Sequence, residues 1–190
     1  MQENETINLE PETFVSPKTK AFADYWFSLK EKTRADKPGA AAHMPVRAAF
    51  DPIAIPSLLS DIVLLERTRP DAFLLRLQGT AFIERGVMDR TGTTLSPDET
   101  QPGRQQILNA MTRILNTPCG LRLVGVEQNM DGKNSLVEVA VFPLANNEGK
   151  PTFVVALVST LETLGYREDV HFKDSLVEIR EAVEIDLGLT

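Results

Sequence analysis

Apolar and polar positions change their period several times along this chain, and each change marks an element. Residues 1–16 are polar and acidic with no periodicity, which predicts a mobile tail. Behind the start signal of Ser16 and Pro17, Phe22, Tyr25, Trp26 and Leu29 recur at helical spacing, so an amphipathic helix opens the folded part. The run KPGAAAHMP that follows is rich in small residues and proline and reads as a linker. Asp51 directly before Pro52 has the form of an N-cap and a first helical residue. A short helix over 52–60 is therefore expected, with Ile55, Leu58 and Leu59 on its packing face.

The period then falls to that of strands. IVLLE and FLLRLQ are two apolar runs separated by the turn RTRPDA, a hairpin pattern. Gly79 and Thr80 open a short helix carrying Phe82 and Ile83, and Gly86 is its left-handed stop. DRTGTTLSPDET reads as polar and irregular. From Pro102, Ile107, Leu108, Met111, Ile114 and Leu115 form one broad helical face. Three further strands follow, LRLVGVEQNM, NSLVEVAVFPLA and TFVVALVSTLET, the first two joined by the Asp131-Gly132 turn. In the middle one Glu138 is the clear polar residue on its face. Leu176, Ile179, Val183 and Leu187 return to helical spacing, predicting an amphipathic helix in the acidic C-terminal tail.

The pattern by itself specifies a mixed antiparallel α+β domain. The ordered set Asp51-Pro52, Leu58-Leu59, Leu64-Leu65-Glu66, Arg76-Leu77, Gly79-Thr80, Gly86 and Thr91-Gly92, with Trp26 and Arg47 upstream, resembles the PAS domain family, in the type found largely as small stand-alone bacterial proteins. The resemblance implies a five-stranded antiparallel sheet with helices on one face, here with helical extensions at both ends. On that basis residues 17–60 flank the core, 61–165 are the PAS core and 166–190 are the acidic tail. It also implies a sensory or regulatory module with a ligand pocket between sheet and helices, and the single Cys119, which can form no internal disulfide, is consistent with a reducing cytoplasm. No output domain follows, so signalling runs through contact with a protein partner.

The candidate ligand-binding residues are Arg76, Thr80, Phe82, Met111 and Arg122. Arg76 and Thr80 are chosen because the second strand hands over to the short helix between them. The candidate partner surface is Phe22, Tyr25, Trp26 and Leu29 on the first helix and Leu176, Ile179 and Val183 on the tail, because two apolar stripes exceed what the core obviously needs. A homodimer through the first helix is the expected arrangement, with packing of both helices on their own chain as the competing one.

Composition narrows the chemistry. At 190 residues with 42% hydrophobic content the chain supports one well-buried domain without staples. A net charge of -7 disfavours nucleic acid and anionic membrane, and the longest apolar stretch, FVVALV, is only strand-length. With one cysteine, Cys119, and two histidines, His43 and His171, no metal-ligand spacing exists. Cys119 lies in TPCGLRL, unlike the reactive-cysteine helix of flavin photosensors, and the helix after Pro102 has no histidine for a haem, so no cofactor is expected beyond an unidentified small molecule. No nucleotide-binding, hydrolase or kinase signature occurs. Glu66 with Glu84, or Glu127 with Glu138, are the carboxylate pairs that general acid and base catalysis would draw on. The alternative function is accordingly a small cone-fold isomerase or hydratase using a buried carboxylate. Its long helices would precede most strands, whereas here a hairpin precedes the long helix, so a non-enzymatic module is favoured.

Overall fold

The computed structural model describes residues 14–36, 44–97, 102–166 and 175–189. The strands are β1 (Ile62–Arg69), β2 (Ala72–Gln78), β3 (Thr94–Leu95), β4 (Gly120–Gln128), β5 (Lys133–Ala145), β6 (Pro151–Tyr166) and β7 (Ser175–Ile185). The helices are α1 (Pro17–Asp36), α2 (Thr80–Glu84) and α3 (Pro102–Asn116). All seven strands join one antiparallel sheet in the order β3-β2-β1-β6-β5-β4-β7. The five expected strands are its centre, and β3 and β7 extend it at either edge. Among the described residues no helix is long and apolar enough to cross a membrane.

Because side chains alternate across a strand, each face of the sheet has its own core. On one face α1 buries Phe22, Ala23, Trp26 and Leu29 against Ile62, Ala140, Phe142 and Leu157. Trp26 stacks on Phe142 with ring centroids 5.0 Å apart, and its indole N–H donates to the Pro143 carbonyl at 3.0 Å. The apolar stripe of α1 is thus consumed by its own chain. Phe22, Trp26 and Leu29 are buried and Tyr25 is half-buried, its hydroxyl hydrogen-bonded to the Asp51 backbone. A dimer seated on these four side chains is not open to the folded chain, and packing on the chain's own sheet prevails.

On the other face α3 lays Leu108, Met111, Ile114 and Leu115 over Leu121, Val139, Val141 and Ala156. Gly79 makes the turn from β2 into α2 feasible: a side chain there would stand 2.1 Å from the Ser60 carbonyl oxygen. Gly86, at a φ of 82°, ends α2 as its position foretells.

Four local expectations are corrected. Residues 52–60 form no α-helix but two 3-10 turns, Pro52–Ala54 and Leu59–Asp61, because Pro56 lacks a backbone donor and its ring clashes with a preceding helical turn. Asp51 still caps the first, accepting from the Ile53 N–H at 2.9 Å. The stretch expected to be irregular contributes the edge strand β3, paired to Phe73 and Leu74. Residues 14–16 are not a mobile tail: Phe14 is buried, and the backbone N–H groups of Val15 and Ser16 donate to Glu138 at 3.0 and 2.8 Å. The rest of that tail, most of the KPGAAAHMP linker with His43, and His171 lie outside the described residues.

The last correction concerns the acidic C-terminal segment, which is the strand β7 and no helix. β7 pairs with β4 through two bulges, one leaving Arg180 and one leaving Val177 as the extra residue. The bulge at Val177 sets Leu176 and Ile179, three apart, opposite Glu127 and Gly125, two apart on β4, whereas Val183, four further on, belongs to the other face; the three-and-four spacing thus imitates a helix without marking a single face. Leu176, Ile179 and Val183 are therefore strand residues beside β4; Ile179 packs toward the α3 face and Val183 stands opposite Arg122. The same bulges and the charges of Glu178, Arg180 and Glu181 roughen an otherwise open sheet edge.

Candidate functional site

Between the sheet, α2 and α3 lies a half-open cavity of about 220 Å³. Its walls are aliphatic residues of every central strand, such as Val63, Leu75, Leu123, Val139 and Ala156, roofed by Phe82 of α2 and by Ile107, Met111 and Ile114 of α3. Polar groups reach it at only four positions among the described residues, Gln78, Arg90, Arg104 and Glu127. Gln78 pins the loop that follows α2, donating to the Met88 carbonyl at 2.9 Å and accepting from the Arg90 N–H at 3.2 Å. Arg104 is only 6% exposed although it is charged.

Beside this cavity a polar cleft of about 620 Å³ runs between the end of α2 and the ends of β4, β5 and β6. Glu127 belongs to the lining of both spaces. Its Oε1 accepts from Arg85 Nε at 3.1 Å, and Arg85 Nη1 donates to Asp61 Oδ1 at 3.3 Å. The arginine also lies over the Phe82 ring, 4.6 Å from its centroid. Asp61, 3% exposed, is held from the opposite side by Lys18 Nζ of α1 at 2.6 Å. A continuous charged chain thus runs Lys18, Asp61, Arg85, Glu127, from α1 on one face round to the cavity wall on the other.

Of the five candidate ligand residues, the structure brings Phe82 and Met111 together in the cavity lining. Arg76 is exposed on β2 and paired with Glu66, and Thr80 is exposed at the first position of α2. Neither is part of the lining. Arg122 faces away from the cavity altogether, because it alternates with the lining residues Leu121 and Leu123. It is buried on the α1 face, donating from Nε to Glu138 Oε1 and from Nη1 to Glu181 Oε1, each at 2.6 Å.

Glu138, 0% exposed, is the hub of that second charged centre. Besides Arg122 it accepts from the Thr19 hydroxyl and from the two backbone N–H groups that precede α1. Burial pushes its carboxyl up, but the hydrogen bonds from Thr19, Val15 and Ser16 and from Arg122 outweigh burial and hold it below the usual glutamate range. The cavity and this carboxylate lie on opposite faces. Glu127 and Glu138 are therefore not an acid and base pair, since no reacting group could touch both.

The residues that sequence reasoning missed carried faint signals. Arg104 falls at helical spacing with Ile107, Leu108 and Met111, a cation on an apolar face. Glu127 is two strand repeats beyond Leu123, hence on the same inward face. Nothing in their spacing tells the remaining aliphatic lining residues from ordinary core.

A PAS domain family profile matches residues 14–159 of the chain. The chain belongs to the PAS domain family. Its five central strands in the order β2-β1-β6-β5-β4, with α2 and α3 inserted between β2 and β4, form the core of this PAS domain. A search of curated proteins returned no match. Solved structures that are similar include a light-oxygen-voltage domain studied with a flavin analogue, at 11% identity, covering 58% of this chain and 83% of that one, with a TM-score of 0.45. A Rhodobacter sphaeroides light-oxygen-voltage protein is 11% identical over 59% of this chain and 69% of its own, with a TM-score of 0.41. The Vibrio cholerae VqmA dimer is 13% identical over 57% of this chain and 52% of its own, with a TM-score of 0.44.

Elsewhere in the PAS domain, Cys119 sits half-buried where α3 meets β4. Burial, reinforced by Glu184 and partly offset by Arg113, pushes its thiol up to about 11. The thiolate is the reactive form, so alkylation by iodoacetamide at neutral pH is expected to run roughly a hundredfold slower than at an exposed cysteine and to accelerate up to the thiol's own pKa. Modification at the rate of free cysteine would contradict this assignment. Among the described residues no three histidine, cysteine or carboxylate side chains gather as metal ligands.

Proposed function

We propose that this PAS domain is a sensory module that takes a small, largely apolar molecule into the cavity beneath α3 and reports its presence to a protein partner without chemical conversion. The observation that carries the reading is the cavity itself. Its walls are almost wholly aliphatic with a few polar groups at the margin, the make-up of a concave small-molecule site, and it holds about 220 Å³. Its size exceeds the ~150 Å³ of an apolar cavity that takes benzene and falls short of the ~300 Å³ at which larger ligand pockets begin. That range supports a ligand of one or two rings or a short chain, and disfavours flavin and haem. Gln78, Arg104 and Glu127 would meet a polar end of such a molecule.

The chain Lys18, Asp61, Arg85, Glu127 supplies a route for the report, because a ligand that shifts Glu127 loads the same network that steadies α1. The partner surface in this reading is the outer, polar side of α1 rather than its buried stripe. Ala156→Phe, which puts a ring into the cavity from β6, is expected to abolish binding of fluorobenzene and of any molecule retained by native mass spectrometry, with melting temperature unchanged or raised. A wild-type protein that takes up neither would overturn the reading.

A further inference from the structure

The polar groups of the cavity lining differ in what they still offer a ligand, and that difference bears on the ligand's chemistry. Gln78 is spent on the loop after α2: its Nε2 donates to the Met88 carbonyl at 2.9 Å and its Oε1 accepts from the Arg90 N–H at 3.2 Å. Arg90 and Arg104 each have a partner already. Glu127 is only half engaged. Its Oε1 accepts from Arg85 Nε at 3.1 Å, whereas Oε2 takes no hydrogen bond from any described residue, although Glu127 is only 8% exposed. Arg85 lines the polar cleft and not the cavity, so its bond draws Oε1 toward the cleft and leaves Oε2 as the oxygen a molecule in the cavity would meet. A buried carboxylate oxygen without a donor forgoes a charge-assisted hydrogen bond, one of the stronger kinds. We propose that the cavity takes a molecule bearing a neutral hydroxyl, a small phenol or alcohol, which donates to Glu127 Oε2 while its apolar body lies beneath α3. The inference rests on the reading of the cavity as a ligand site.

The surroundings of Glu127 set the class. An acceptor asks for a donor, and a ligand carboxylate placed there would meet Glu127 with like charge. An ammonium is disfavoured from the other side: the charge of Glu127 is already balanced by Arg85, Arg90 and Arg104 also stand in the lining, and among the described residues the lining holds no second carboxylate. A hydroxyl completes the hydrogen bonding of Oε2 without altering the net charge. Because the cavity is half-open, at a margin that includes the partly exposed Val87, Met88, Arg90 and Leu95, the competitor for Oε2 is water. A ligand hydroxyl that displaces water restores its bond, whereas a methyl group of the same size does not. About 220 Å³ suits a single substituted ring, given that ~150 Å³ takes benzene.

Fluorine NMR titration of the full chain with probes of similar outline reads this selectivity. The probes are 4-fluorophenol, which is uncharged at neutral pH, 4-fluorotoluene with a methyl in place of the hydroxyl, 4-fluorobenzoate as the anion and 4-fluorobenzylamine as the cation. We expect 4-fluorophenol to bind tightest, with a Kd about tenfold below that of the more apolar 4-fluorotoluene. Glu127→Gln keeps the outline of the side chain and replaces the charged acceptor by an amide, so the preference should fall below about threefold while the Kd of 4-fluorotoluene changes by less than about twofold. Equal or tighter binding of 4-fluorotoluene would overturn the proposal, as would a preference that survives intact in folded Glu127→Gln. Tightest binding of 4-fluorobenzoate would overturn it by moving the anchor to the arginines, and tightest binding of 4-fluorobenzylamine by showing that the carboxylate selects charge. If Glu127→Gln does not fold, the wild-type comparison still decides, together with Ala156→Phe, which should abolish uptake of 4-fluorophenol. Retention of 4-fluorophenol by folded Ala156→Phe would overturn the proposal by placing the phenol outside the cavity. Failure of every probe, and of fluorobenzene, to bind the wild-type chain would instead remove the ligand reading on which the hydroxyl anchor depends.

Discussion

Glu138→Ala is expected to destabilise the domain by about 3–5 kcal/mol, the usual cost of removing one member of a buried ion pair. Arg122 is 4% exposed, so the substitution strands a cation inside the α1 face with Glu181 as its remaining carboxylate. Three further donors lose their acceptor at once: the backbone N–H groups of Val15 and Ser16 and the Thr19 hydroxyl, all at the start of α1. Glu138 therefore acts as a helix cap supplied by a distant strand, with the favourable placement of an anion at a helix N-terminus. Because its folded pKa is depressed, its contribution is fully present above the unfolded value of about 4.3 and is lost as pH falls through the folded pKa. The gap between wild type and Glu138→Gln in urea unfolding should accordingly be large at neutral pH and narrow on acidification. A gap that is small at pH 7, or that does not shrink in acid, would show that the carboxylate charge contributes nothing to the clamp.

This hub also marks where sequence reasoning reaches its limit. β1, β2, α3 and the strands β4 to β6 were legible because each carries a dense apolar run of two turns of helix or several strand repeats, which stands out despite the bulges in β2 and β6. Glu138 was visible as a polar residue on a strand face, but its partners stand 122 and 123 positions away in Ser16 and Val15, in a segment whose composition says tail. Long-range pairing of that kind leaves no local signature. β7 was misread for a different reason, since its bulges at Arg180 and Val177 rewrite the period that distinguishes strand from helix. In the cavity only Phe82 and Met111 were anticipated, the first on the short face of α2 and the second on the broad apolar face of α3. The strand residues opposite them, Val139 and Ala156 among others, read as core because a cavity is a shortfall of volume between elements, which no single element's pattern encodes.

Trp26→Ala is the substitution expected to free α1 from the sheet. The side chain is wholly buried, stacked on Phe142 and edge-on to Phe27 at 5.3 Å, and truncation of a core tryptophan costs about 3–5 kcal/mol. Trp26→Phe keeps a ring on Phe142 but drops the bond to the Pro143 carbonyl, and should cost about 1–3 kcal/mol for the acceptor left unmade and the volume lost. As the sole tryptophan of the chain, Trp26 reports on its own docking in the wild type. Its emission should be blue-shifted and poorly quenched by acrylamide, and should shift red in the same urea transition that circular dichroism records. The competing assignment, a tryptophan at a dimer interface, makes a different demand: emission and quenching would then depend on protein concentration, and Trp26→Ala would lower association seen by light scattering while leaving the unfolding midpoint of the monomer in place. Concentration-independent burial together with a lowered midpoint is the outcome that α1 packed on its own sheet requires, and hydrogen exchange should localise the loss to the amides of α1. If those amides stay protected in Trp26→Ala, α1 is held chiefly from its first turn, by Lys18 on Asp61 and by Glu138, and the indole is filler rather than anchor.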